Sequence, residues 1–250
     1  MLIVFILLAG VWITCGTIFV VRDVEIVETA ASANTLDDAA ITHLVEETNL
    51  KGKSILFNLN QKEITNHIKA VDATLKVQNI TAVFPNKVVI NLIRRVPVYT
   101  DKNNQCYYDA DMCILREVKN AANCIDVTAA NLQLTNATAA GDTANGFDAR
   151  NQRKIDQLKT VANFPNLSVF GVAYKESIGD PYLRLELQIG EESAAFFVLN
   201  TKDGEDFAYL LAWTYGIYQK HQSGGTYNAM YNLQGKITVT TTDGGNYVEQ

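Results

Sequence analysis

The stretch Thr81–Val98, TAVFPNKVVINLIRRVPV, decides how the chain reads. Two β-rich runs flank Phe84-Pro85-Asn86-Lys87, and an arginine pair, Arg94-Arg95, leads into Pro97-Val98. Proline presets φ at a corner and asparagine tolerates the left-handed conformation, so Phe84-Pro85-Asn86 predicts the turn of a hairpin. No residue in the hairpin looks catalytic. Its role has to be structural or one of docking.

Upstream, Asn60 is a good helix N-cap with Glu63 three residues on, and Leu59 can staple onto Ile64. Ile64 and Ile68 share a face, and the helical pattern stops near Val71-Asp72. An earlier helix places Leu36, Ala40, Ile41, Leu44, Val45 and Thr48 on one side. Thr35 caps it in this reading, and Gly52 terminates it. DVEIVET, from Asp23, alternates as a strand does. The expected order between residues 23 and 99 is therefore β-α-α-β-β.

Leu2–Val21 contains no charge. Twenty helical residues rise about 30 Å, the thickness of a bilayer's hydrocarbon core. A secretory signal peptide would need a basic start and a small-residue cleavage site, and the sequence has neither. A retained transmembrane anchor over residues 1–22 is the expectation. Only Met1 precedes the run, so basic flanks do not set its orientation. The large domain is expected outside the cytoplasm.

From Thr100 the character changes. TDKNNQCYYDADMCIL reads as strand, turn and strand, and DARNQRKIDQLKTVANF as a helix. Leu183, Leu185, Leu187 and Ile189 alternate with Arg184, Glu186 and Gln188, which is a half-buried antiparallel strand. AAFFVLN, YNAMYNLQ and GKITVTTTDGG are further strands, and DFAYLLAWTYGIYQ is a second helix. The expected fold class is α+β: a transmembrane helix, a β-α-α-β-β domain, and a mixed, mostly antiparallel β domain over 100–240 with two helices. Residues 241–250 read as a short tail.

Several function classes are excluded. The net charge is −6 with no basic run, which argues against nucleic acid. Cys15, Cys106, Cys113 and Cys124 lack the CxxC and His spacings of zinc sites. Cys106 and Cys113 can close a disulfide across YYDADM if the domain is extracytoplasmic, the alternative being reduced thiols. His43, His67 and His221 read as surface residues. No phosphate-binding glycine loop occurs. Asp203–Asp206 and Asp109–Met112 are turn chemistry, and Glu191 and Glu192 point to opposite faces of a strand. Neither a cofactor, a metal nor an enzyme is expected.

The hairpin resembles that of the bacterial cell-division family FtsQ/DivIB. Its polypeptide-transport-associated (POTRA) domain is similar to this chain from KGKSILFNLNQKEI onward. The family's last hairpin reads as a strand, Phe-Pro-Asn, a strand, and a Glu-Arg pair before Pro-Val. Phe84, Pro85, Asn86, Arg95, Pro97 and Val98 match it, and Arg94 stands where the family usually has Glu. YYDADMCIL looks like the entry to the family's β domain.

The resemblance implies a membrane-anchored, non-enzymatic divisome scaffold that regulates septal peptidoglycan synthesis. Its implied partners are single-span coiled-coil proteins of the FtsB/DivIC and FtsL types, with a septal wall synthase as a further one. Strand addition at the last sheet's edge is the implied binding mode. By analogy it involves Met230, Tyr231, Asn232, Leu233 and Gln234, with Ile237 and Val239 beside them. The other reading of those residues is core of a terminal hairpin. A rival class is the POTRA protein of polypeptide translocation or outer-membrane assembly. Such chains carry repeated modules and a β-barrel, whose alternating series is absent here.

Overall fold

The computed structural model describes residues 18–29, 36–55, 59–116, 123–135, 139–175, 180–190, 195–221 and 224–249. The chain divides into two compact units, Met1–Val96 and Pro97–Gln250.

The first unit runs β1 (Asp23–Thr29), α1 (Asp38–Glu47), α2 (Gln61–Val71), β2 (Leu75–Val83) and β3 (Lys87–Arg94). Its sheet has the order β1-β3-β2, with β1 parallel and β2 antiparallel to the central β3. Alternation sends Val88, Ile90 and Leu92 of β3 to one face, where they are fully buried with Val24 and Ile26 of β1. Leu44 of α1 and Ile64 and Ile68 of α2 join that core. Glu25, Lys87 and Asn91 occupy the other face, and Lys87 pairs with Glu25 at 2.6 Å.

Both helices are capped by side chains. Asn60 accepts a hydrogen bond from the Glu63 N–H at 3.4 Å at the start of α2. At α1 the cap is Asp37, which accepts from the Ala40 N–H at 2.7 Å. The expected cap, Thr35, lies outside the described residues. Nor does Gly52 end α1. Asn49 takes the left-handed position directly after the helix, with φ 49°, and Gly52 serves the next turn with φ 85°. Asparagine tolerates that conformation because its short polar side chain can bond locally.

The transmembrane part of the expected fold class is corrected. Among the described residues no helix is long and apolar enough to cross a membrane. Residues 1–17 of the expected anchor lie outside the described residues. Its last residues belong to the first unit: Val20 bridges to Ser54, and Val21 is 1% exposed in the core. Those residues are apolar because a domain interior covers them. The fold class is α+β, with four α-helices among the described residues.

The second unit opens with a small sheet of β4 (Tyr99–Asp101), β5 (Cys106–Tyr108), β6 (Ile114–Leu115) and β7 (Ile125–Asp126), in the order β6-β5-β4-β7. A 3-10 turn at Thr128–Ala130 and α3 (Ala149–Ala162) follow. The main sheet comprises β8 (Val169–Lys175), β9 (Leu183–Ile189), β10 (Ala195–Thr201), β11 (Gly225–Tyr231), β12 (Ile237–Thr241) and β13 (Asn246–Val248). Its order is β13-β12-β11-β10-β9-β8. Neighbours are antiparallel except β10 and β11, whose parallel pairing needs the crossover that α4 (Phe207–His221) provides. Leu210, Leu211 and Ile217 of α4 are buried in one core with Leu185, Phe197, Ala229 and Val239 of the sheet.

Asn200 ties the parallel junction on the opposite face. Its Nδ2 donates to Asn228 Oδ1 at 2.7 Å and its Oδ1 accepts from Arg184 Nε at 2.9 Å.

Candidate docking site

The residues expected to form an edge do not form one surface. Met230 pairs with Asn200 of β10 on one side and Thr238 of β12 on the other, so β11 is an interior strand. Tyr231 pairs with Ile237 and donates its hydroxyl to Asp206 O at 2.6 Å. Ile237 and Val239 are 0% exposed. Asn232, Leu233 and Gln234 make the tip of the β11–β12 hairpin, where Leu233 is wholly exposed. The seven thus divide into interior ladder, core and turn, and none is an edge.

The edge is β13, in the stretch read as a tail. Thr241 N–H donates to Gly245 O at 2.9 Å, and Glu249 N–H to Ile237 O at 3.0 Å. In an antiparallel ladder such bonds fall on alternate residues, so Gly245, Tyr247 and Glu249 turn their backbone groups toward β12. Asn246 and Val248 turn theirs outward, and among the described residues no strand pairs with them. The far edge, β8, is packed by β7 and the 3-10 turn. A TDGG turn signal before Asn246-Tyr247-Val248 was the sequence's pointer to this hairpin.

A groove of about 590 Å³ runs between β13 and α4. Trp213, Gly216, Ile217 and Lys220 line its helix side, and Tyr247 and Val248 its strand side. The space over Gly216 is open, since a β-carbon there would meet nothing within 4 Å. The Tyr247 and His221 rings lie 4.8 Å apart and close one end. The volume falls in the range of small-ligand sites, about 300–1,000 Å³. A strand added to β13 would place the side chain opposite Tyr247 on this side of the sheet.

The residues of the hairpin signature are structural in the first unit. Phe84, Pro85 and Asn86 form the β2–β3 turn. Asn86 O accepts from the Arg22 N–H at 2.8 Å, which holds the start of β1. The Arg95 N–H donates to Thr74 O at 2.7 Å, and the division between the units falls just before Pro97. Arg94 has its own partners: Nε donates to Glu28 Oε1 at 3.2 Å, and Nη1 to Thr74 Oγ1 at 2.8 Å and Asp72 Oδ2 at 3.4 Å. An arginine therefore supplies the charge pairing at this position, with acidic partners.

Of the two alternatives for Cys106 and Cys113, the bridge is not formed and both are free thiols. Tyr107 pairs with Leu115 and Tyr108 with Ile114, so Cys113 falls opposite Asp109. Cys106 is three residues along, about 10 Å, against the roughly 7 Å limit between bridged α-carbons. Burial pushes the Cys106 thiol's pKa up, and that of Cys124 as well, which keeps both protonated. Among the described residues no cluster of three His, Cys, Asp or Glu can hold a metal. His43 and His67 stand one helical turn from Glu47 and Glu63, at 4.0 and 3.8 Å.

No protein-family model matches the chain, and no curated protein matches it.

Proposed function

We propose that this chain is a non-enzymatic cell-division scaffold of the FtsQ/DivIB kind, working outside the cytoplasm at the septum. It holds small single-span coiled-coil partners of the FtsB/DivIC and FtsL types and through them regulates septal peptidoglycan synthesis. The sequence resemblance supports the family. The carrying observation is the outward row of backbone groups at Asn246 and Val248 beside the α4 groove. Strand addition uses such a row for affinity and an adjoining pocket for specificity.

Val248→Pro tests this reading. The Val248 N–H points away from β12, so proline removes a donor from the open edge and none from the ladder. Full-length chain is purified from mildly cross-linked cells. Native chain should bring down small single-span coiled-coil proteins, and Val248→Pro should lose most of them. Undiminished recovery by Val248→Pro sinks the edge, and recovery of an outer-membrane barrel or unfolded client chains instead sinks the scaffold.

A further inference from the structure

The chain contains one Asn-Gly pair, Asn145-Gly146, in the segment that leads into α3. Asparagine before glycine is the least hindered setting for attack of a backbone amide on a side chain, because glycine has no β-carbon and its backbone turns freely. In that reaction the Gly146 nitrogen loses its proton and bonds to Asn145 Cγ. Nδ2 leaves with a proton as ammonia. Water then opens the succinimide ring at either carbonyl, and aspartate or isoaspartate results. Asn145 is exposed, so water reaches it.

The fold opposes ring closure at each atom involved. Gly146 N–H donates to Gln152 Oε1 at 2.9 Å, which occupies the attacking nitrogen. Gln152 is itself aimed, since its Nε2 donates to Asp156 Oδ1 at 3.1 Å. Asn145 Nδ2 donates to Thr143 O at 3.1 Å, which draws the amide back along the chain. On either side the backbone is pinned: Thr135 N–H donates to Asn145 O at 2.9 Å, and Phe147 N–H to Gln133 O at 2.8 Å. Closure has to rotate the Asn145–Gly146 link and so break these bonds. Glycine is needed at this position for another reason, because a β-carbon on Gly146 would lie 2.2 Å from the Gln152 nitrogen. The close approach to α3 thus brings the hazard, and the same helix supplies the guard.

We propose that Asn145-Gly146 is a self-modification site that Gln152 holds closed in the folded chain and that reacts when the segment lifts from α3. Local opening of this kind needs no global unfolding. Isoaspartate adds a methylene to the backbone where not even a β-carbon fits on the next residue, so a modified segment cannot return to its seat. The proposal does not rest on the partner reading above, since water is the only reagent.

The test follows full-length chain in one buffer, folded in one sample and unfolded by urea in another. Mass spectrometry of the peptide carrying Asn145 measures the aspartate and isoaspartate formed. The folded chain should form them at least about tenfold more slowly than the unfolded one. Gln152→Ala, with circular dichroism matching the native chain, should form them about fivefold faster than native, the worth of one hydrogen bond. Amide exchange at Gly146 should quicken with it. Gln152→Glu keeps an acceptor for the Gly146 N–H and should stay within about twofold of native. Equal rates in the folded and unfolded native chain overturn the proposal without any variant having to fold. A Gln152→Ala rate equal to native, or a Gln152→Glu rate as fast as that of Gln152→Ala, overturns the guarding role of Gln152.

Discussion

Two hairpin tips expose a large apolar side chain, Phe84 in the first unit and Leu233 in the second, and they are held in opposite ways. Phe84 rests against Phe19, and its neighbour Asn86 accepts the Arg22 N–H, so that tip is tied to the start of another strand. The Leu233 tip is closed on itself. Asn232 Oδ1 accepts from the Gln234 N–H at 2.8 Å and the Lys236 N–H at 3.0 Å, and Leu233 is 100% exposed. An exposed apolar residue thus says little until its neighbours are known. One tip is part of its unit's frame, and the other is an ornament on a frame already complete.

Substitutions should separate frame from ornament. The largest loss belongs to the base of the second hairpin: Ile237→Ala, at a fully buried site, should cost about 2–5 kcal/mol. The urea midpoint, followed through Trp213, would fall accordingly, and an unchanged midpoint would remove Ile237 from the core. Phe84→Ala comes next. Loss of its edge-on contact should cost about 1 kcal/mol and speed amide exchange at Arg22. Slow exchange there in the variant would show that the tip does not brace β1. Leu233→Glu should be the mildest, within about 0.5 kcal/mol of native stability. If it abolishes partner recovery, the tip itself is the contact and the edge at β13 is not.

Local structure was well written in the sequence. Asn60, Glu63, Leu59 and the Ile64–Ile68 face agree on one helix, and α2 begins and caps there. The alternation from Leu183 to Ile189 is the alternation of burial in β9. What failed was neighbourhood. Met230 and Tyr231 look the same in an edge strand and in an interior one, and only the crossover through α4 puts β10 beside them. The edge strand β13 has three residues, too few for a period to show. Phe19–Val21 read as the end of a membrane span because burial in a core and burial in lipid demand the same residue types. Cysteine spacing suggested a bridge that strand register places out of reach.

The parallel junction between β10 and β11 has a consequence for fidelity. A hairpin inherits its alignment from its turn, but two strands joined through a fifteen-residue helix have no turn to count from. Asn200 supplies the missing count. Slip the β10–β11 pairing by one residue and its side chain leaves Asn228 for the side of the sheet where Leu199 and Ala229 lie buried. A mispaired main sheet thus carries its own penalty at the parallel seam among its described strands, where the chain could otherwise lose its place.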